Sequence, residues 1–292
     1  MQNLIKRKPV WRVAVLHDLC AVGKAAMTNI LPVLSVMGLE TCPIPTMVLS
    51  THTGGFGKPA ARSLDGFPLE AVRHIRGCGL EFDALLIGYL GSMSCIEQVR
   101  ECIPFFSSAK ILLDPVMGDH GRYYSGFDEE YCRMLRTLIK ECAVLKPNFT
   151  EACFLTGEPF ADSCSEEKLE RIFGGLRNLG ASEIVMTSVP LGEAEFGIAV
   201  CEEGQVTVCP EKKEGRAYPG TGDLFSAVLL GNLLRGAALL EASKKAHSFV
   251  AACIRESDRY AYDTKEGVLL EPMLGQLVSQ KNGDRMARCP RE

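Results

Sequence analysis

Five short apolar runs, rich in β-branched residues and without polar alternation, recur along the chain at 13–16, 84–87, 111–113, 143–145 and 184–186. Longer stretches of helical character separate them, at 23–37, 96–107, 129–140, 165–178 and 224–234. A strand apolar at every residue has both faces buried, and strands spaced by helices are joined by crossovers. The pattern therefore predicts a mostly parallel sheet covered on both sides. Around 196–209 it changes: Phe-Gly-Ile-Ala-Val, Cys-Glu-Glu-Gly and Gln-Val-Thr-Val-Cys follow one another, which predicts a late antiparallel hairpin with a short turn. The 224–234 segment is apolar nearly all round and should be a buried helix. No internal repeat, low-complexity tract or linker interrupts the series. The expectation is one domain over 1–292, with residues 1–10 and 281–292 frayed.

With 292 residues, 47% of them hydrophobic, the chain can bury a large core. A net charge of -4 supplies no broad positive field, so neither nucleic acid nor a membrane surface is expected as partner. The thirteen cysteines include no Cys-x-x-Cys and no cluster with zinc-ligand spacing. Most lie in apolar runs, as Cys153 and Cys253 do, where a thiol packs as a small hydrophobe. Their odd number and the lack of a leader-like segment predict a reducing cytoplasm. Lys6, Arg7 and Lys8 are basic, but the apolar run after them breaks at His17-Asp18. No run reaches the roughly 18 apolar residues of a membrane span.

Open parallel sheets bind ligands beyond the carboxyl ends of their strands. The residues expected there are polar or acidic, strand after strand: His17-Asp18, Gly88-Tyr89, Asp114-Pro-Val-Met-Gly-Asp119, Lys146-Pro-Asn-Phe-Thr-Glu151 and Thr187-Ser188. That convergence predicts an active site.

Its strongest component is Tyr218-Pro-Gly-Thr-Gly-Asp223, which runs straight into the apolar helix. Two glycines allow close approach of the backbone, and a helix N-terminus offers unpaired N–H groups to a phosphate. Asp223 beside such a site could take a proton from an attacking hydroxyl, or it could simply cap the helix. Asp114, Asp119 and Glu151 are hard oxygen ligands suited to Mg²⁺. Equally, Asn148-x-x-Glu151 reads as a capping box, and Asp114 before Pro115 as the start of a turn. The Gly-rich loop 51–57 could close over a small substrate or be an ordinary surface loop. His17 and His52 are candidates for catalysis, yet the five histidines form no Ser/His/Asp constellation in the sequence. Gly23-Lys24-Ala25 lacks the Ser/Thr and earlier Gly of a Walker A loop, and Gly220-Thr-Gly222 lacks the third Gly of a dinucleotide fingerprint.

Taken together and in order, Ser50-Thr-His-Thr-Gly54, Gly88-Tyr89, Asp114-Pro-Val-Met-Gly-Asp119, Lys146-Pro-Asn-Phe-Thr-Glu151, Thr187-Ser188 and Gly220-Thr-Gly-Asp223 resemble the pyridoxal kinases of the ribokinase-like superfamily. The resemblance spans roughly residues 11–260. It implies a three-layer α/β/α sandwich and phosphorylation of the 5′-hydroxymethyl group of a vitamin B6 vitamer by ATP. On it, Asp223 matches the catalytic base, and Gly220, Thr221 and Gly222 match the anion hole. Asp114, Asn148, Glu151, Thr187, Ser188 and Thr221 match nucleotide-side positions, with Asp119 and Glu151 toward Mg²⁺. Asp18, Thr53, Gly54 and Tyr89, with Asp223, match the vitamer side. The resemblance further implies a homodimer and, in many members, a monovalent cation such as K⁺.

Two departures stand out. Asp18 follows His17 where many relatives have a Ser contacting the pyridine ring, and it could accept a hydrogen bond from the ring. Lys146 replaces a Thr before Pro-Asn, either to contact phosphate or to form a surface ion pair. Within the superfamily, hydroxymethylpyrimidine and sugars are the alternative substrates. A non-catalytic vitamer-binding protein is the alternative of another class.

Overall fold

The computed structural model describes residues 9–192, 195–212 and 215–278. The frayed ends expected of the sequence fall mainly on residues 1–8 and 279–292, outside the described residues. The elements run in the order β1 (Arg12–Val22), α1 (Met27–Val36), β2 (Glu40–Thr51), β3 (Ala61–Ser63), α2 (Phe67–Gly77), β4 (Ala84–Ile87) and α3 (Met93–Cys102). Next come β5 (Lys110–Leu113), β6 (Gly118–Asp119), β7 (Arg122–Tyr123), α4 (Glu129–Ile139), β8 (Val144–Leu145), α5 (Phe149–Thr156) and α6 (Glu166–Asn178). β9 (Glu183–Pro190), β10 (Glu195–Glu202), β11 (Gln205–Lys212), α7 (Thr221–Leu234) and α8 (Leu239–Ser257) complete the series.

Nine strands form one sheet in the order β11-β10-β9-β8-β5-β4-β1-β2-β3. The six from β2 to β9 in that order pair in parallel, while β3, β10 and β11 are antiparallel additions at the two edges. Ala14 and Leu16 pack into a core with α2 to α6, whereas Val13 and Val15 pack with α1, α7 and α8 on the opposite face. This two-sided burial is why the strands read as continuous apolar runs. The expected hairpin is β10–β11, turned at Glu203 (φ 52°) and Gly204 (φ 80°), which is the left-handed pair that a tight hairpin turn demands.

The first and the ninth strand run further than the sequence suggested. β1 continues past Leu16 to Val22, and β9 continues past Met186 to Pro190. β4 supports β1 only over residues 13–16, but β2 pairs with it onward to Val22, with a register break between His17 and Asp18. The extra residue at this break is Thr46 of β2, between Pro45 opposite His17 and Met47 opposite Asp18, and β3 pairs with β2 just beyond it. Among the described residues no helix is long and apolar enough to cross a membrane.

Candidate functional site

α7 starts on Gly220 in the left-handed conformation (φ 77°), and a Cβ there would lie 2.0 Å from the Lys24 carbonyl oxygen. Only glycine lets the turn nest against residues 24–25. Asn29, fully buried, fastens the contact by donating from Nδ2 to the carbonyls of Lys24 (2.8 Å) and Gly220 (2.9 Å). The first N–H groups of α7 have no intrahelical partner, as at any helix start, and are available to an anion. Asp223 lies in the first turn and makes no capping hydrogen bond. It points away from its own helix instead. Its Oδ2 accepts the N–H of Ala26 at 2.5 Å, and its Oδ1 lies 3.1 Å from His17 Nε2. Ala26 holds a left-handed φ of 55°, a strain that turns its N–H toward the carboxylate.

His17 is buried and lies between two carboxylates, with Nδ1 2.6 Å from Asp18 Oδ1. Gly88 makes room for it: a Cβ there would stand 2.0 Å from His17 Cδ2. Burial by itself would lower the pKa of His17, but the charge of Asp223 and the bonds to Asp18 and Asp223 outweigh it and carry the imidazole up to about 10. Burial would likewise raise Asp223, yet the facing imidazolium, the Ala26 N–H and Lys146 hold its carboxyl below the ordinary range. A raised histidine pKa makes stability depend on pH. The contribution is complete below pH 6.5 and is lost as pH rises through about 10. The thermal midpoint is therefore expected to fall across that interval, and His17→Gln should flatten the fall; equal slopes in a scanning calorimeter would contradict this.

Tyr89 stands on the same side, half-buried, with its hydroxyl pushed up to about 12 by burial and by the charge of Asp18. Its backbone carbonyl accepts from Thr46 Oγ1 at 2.9 Å, and its ring lies 5.2 Å from that of Phe127. Thr53 and Gly54 lie on an exposed loop positioned by buried His52, whose Nε2 is 2.7 Å from the Lys265 carbonyl. No described contact joins that loop to Asp18 or Tyr89.

Behind the helix start lies a buried ion pair. Lys146 Nζ is 2.6 Å from Asp114 Oδ2 and 3.5 Å from the Gly222 carbonyl, and both side chains are 3% exposed. Ser226 donates to the same Asp114 oxygen at 2.7 Å. Lys146 is thus not a surface residue, which corrects one of the two readings of that departure. Burial pushes the Asp114 carboxyl up against the pull of Lys146. Burial would lower Lys146, but Asp114 and Glu151 raise it, so it stays an ammonium. Glu151 completes the capping box of α5: its Oε2 accepts the Asn148 N–H at 2.8 Å, and Asn148 Oδ1 accepts the Glu151 N–H at 2.8 Å. Its Oε1 accepts the Met117 N–H at 3.1 Å. Burial and the neighbouring Asp114 raise its pKa to about 8.

Asp114 and Glu151 are therefore already engaged, and among the described residues no three His, Cys, Asp or Glu side chains converge as a metal cage. Asp119 is the least engaged carboxylate of the set: 45% exposed, its Oδ1 accepts the N–H of His120 at 2.8 Å and its Oδ2 lies 3.7 Å from His120 Nε2. One carboxylate at a rim fits Mg²⁺, which usually completes its shell with phosphates and water.

Asp119, Ser188, Tyr218 and Thr221 line a cavity of about 720 Å³ that reaches the start of α7. Ser188 is held at φ 56° in β9, and Thr187 bridges to Asn148. Of the sequence-derived nucleotide-side residues, Ser188 and Thr221 line this cavity, Asp114 and Glu151 lie at the ion pair with Lys146, and Asn148 and Thr187 pair with each other. Asp18 and Tyr89 gather on the other side of Asp223, and Thr53 and Gly54 stay apart. The sequence reading missed His17 as a partner of Asp223, and Asn29 and Ser226 altogether. The available signal was a polar residue inside an apolar run, as with Asn29 in a helix otherwise rich in Met, Ile and Leu.

Residues 69–268 match the phosphomethylpyrimidine kinase family. The pyridoxine/pyridoxal/pyridoxamine kinase of Bordetella avium is 31% identical over 255 residues, which cover 78% of this chain and 80% of that protein. The crystal structure of the Lactobacillus plantarum pyridoxal kinase superposes with a TM-score of 0.85 at 34% identity, covering 92% of this chain and 96% of that one. A Bacteroides thetaiotaomicron protein described as a phosphomethylpyrimidine kinase, crystallised with pyridoxal, gives a TM-score of 0.85 at 35% identity over the same shares.

Proposed function

The chain belongs to the phosphomethylpyrimidine kinase family of the ribokinase-like superfamily, among its pyridoxal kinases, and we propose that it phosphorylates the 5′-hydroxymethyl group of pyridoxal, pyridoxine or pyridoxamine with ATP. The observation that carries this reading is Asp223: a carboxylate kept ionised beside an open helix N-terminus, at the end of a cavity of about 720 Å³.

On this reading the nucleotide occupies the cavity past Asp119, Ser188 and Thr221, and the family resemblance assigns Asn148, Thr187 and Glu151 to the same side. The N–H groups of Gly220, Thr221 and Gly222 receive the charge that gathers on the phosphoryl group during transfer. Asp223 removes the proton of the attacking hydroxyl as the new P–O bond forms. Lys146 adds a fixed positive charge beneath the same turn. Asp18 and Tyr89 orient the pyridine ring, and Thr53 and Gly54 close over it. Mg²⁺ would be held by Asp119 with phosphate and water, and by Glu151 only through water; when bound it neutralises phosphate charge. A homodimer and a monovalent cation such as K⁺ belong to the same reading through the family resemblance, and a single domain over 1–292 and a cytoplasmic location belong to it through the sequence pattern and the cysteine usage.

The deciding experiment is ATP consumption by purified protein with Mg²⁺ and each of pyridoxal, pyridoxine, pyridoxamine and hydroxymethylpyrimidine, with product masses measured. Phosphorylation of at least one B6 vitamer in preference to the pyrimidine is expected. Preference for hydroxymethylpyrimidine would reassign the substrate, and vitamer binding without ATP consumption would remove the enzyme.

A further inference from the structure

Both ring nitrogens of His17 face carboxylate oxygens, Nδ1 toward Asp18 at 2.6 Å and Nε2 toward Asp223 at 3.1 Å. A neutral imidazole carries one N–H and can serve only one of them. The backbone N–H of Asp18 also approaches Nδ1, at 3.0 Å. The two demands on that nitrogen compete, and a charge-assisted bond at 2.6 Å outweighs a neutral one at 3.0 Å. We infer that His17 is a bridge that stays charged throughout the neutral range, fixes the aim of Asp223 and keeps it deprotonated, so that the base strength of the kinase is set from the first strand.

This inference deepens the kinase reading and rests on it for its catalytic consequence. His17 is a positioning residue: it acts through Asp223 and touches no substrate. The groups facing it are few. Asp18 lies beside it on β1 and also receives the Cys20 thiol at 3.3 Å; Asp223 reaches it from α7; the end of β4 presents only Gly88 and, further along, Tyr89. Lys146 and Asp114 act at one remove, the lysine holding down the Asp223 pKa and the two acids opposing each other. Two carboxylates and one imidazolium leave one negative charge, and that charge is what accepts the proton from the hydroxyl. After transfer the proton sits on Asp223, His17 keeps both of its own, and the site returns to its resting charge when Asp223 releases the proton to water.

A neutral amide at position 17 can still bridge by shape but supplies no charge. With His17→Gln, burial is left without its main opponent and Asp223 titrates higher. The acid limb of the kcat/KM profile is expected to move up by about 1–3 pH units, the usual effect of an opposite charge at this range. The rate deficit should therefore be greatest at the acid end and should close as pH rises, with the KM for MgATP within about twofold of the unchanged enzyme at about pH 8. A deficit constant across pH would mean that His17 only supports the fold and would overturn the proposal.

A second measurement needs neither a variant nor turnover. In wild-type protein labelled with ¹⁵N-histidine, one ring should show both nitrogens protonated at about pH 8, well above the ordinary histidine pKa. Five neutral rings at that pH would also overturn the proposal. If no vitamer is phosphorylated, the spectrum still reports on the bridge, so the two readings fail separately.

Discussion

Asp223→Asn is expected to lower kcat by about 10²–10⁴-fold while leaving the fold and nucleotide binding in place. The substitution keeps the shape of the side chain and removes its ability to take a proton. Its amide can be accommodated. With the oxygen turned to the Ala26 N–H, the Nδ2 group faces His17 Nε2, and the imidazole can shed that proton and accept instead. Asp18 still holds Nδ1. The variant should therefore unfold at nearly the wild-type temperature and bind ATP with nearly unchanged affinity. Turnover near the wild-type rate in a folded Asp223→Asn protein would remove Asp223 as the base.

The second large effect concerns Lys146. Lys146→Met strips the buried Asp114 of its counter-ion, leaving only the Ser226 hydroxyl on that oxygen. Removing one member of a buried pair costs about 3–5 kcal/mol of stability, because the remaining charge is stranded in a poorly hydrated site. The double variant Lys146→Met, Asp114→Asn relieves the stranded charge and should recover most of that loss in a denaturant titration. It should not recover turnover. The ammonium lies 3.5 Å from the Gly222 carbonyl, beneath the turn proposed to receive the phosphoryl group. Losing one such fixed charge is expected to lower kcat by about 10²–10³-fold. A stable double variant with normal kcat would make the pair purely structural.

How much of this was legible in the chain differs by element. The parallel sheet was readable because Ala14 and Val15 face opposite cores, and burial on both faces writes itself as an uninterrupted apolar run. The hairpin was readable because Glu-Gly at 203–204 matches the left-handed turn that joins such strands. The capping box of α5 was readable because it needs only a spacing of three residues along one turn. The lengths of β1 and β9 were not readable. Their continuations past Leu16 and Met186 are stabilised by pairing with β2 and β10, and composition carries no trace of which neighbour a strand will find.

The same distinction divides the site. Local chemistry within one short segment marked Asp223, its glycines and the acids after each strand, since phosphate binding at a helix start is a property of the turn itself. What those groups are paired with depends on contacts between segments far apart in the chain. His17 meets Asp223 across 206 positions, Ser226 meets Asp114 across 112, and Lys146 reaches the Gly222 carbonyl across 76. The sequence by itself determined the fold class, the edge at which the polar and acidic groups gather and the carboxylate that stands at the start of α7. Only the tertiary structure decided which charges those residues face, and in a buried site the facing charges fix the protonation state of each.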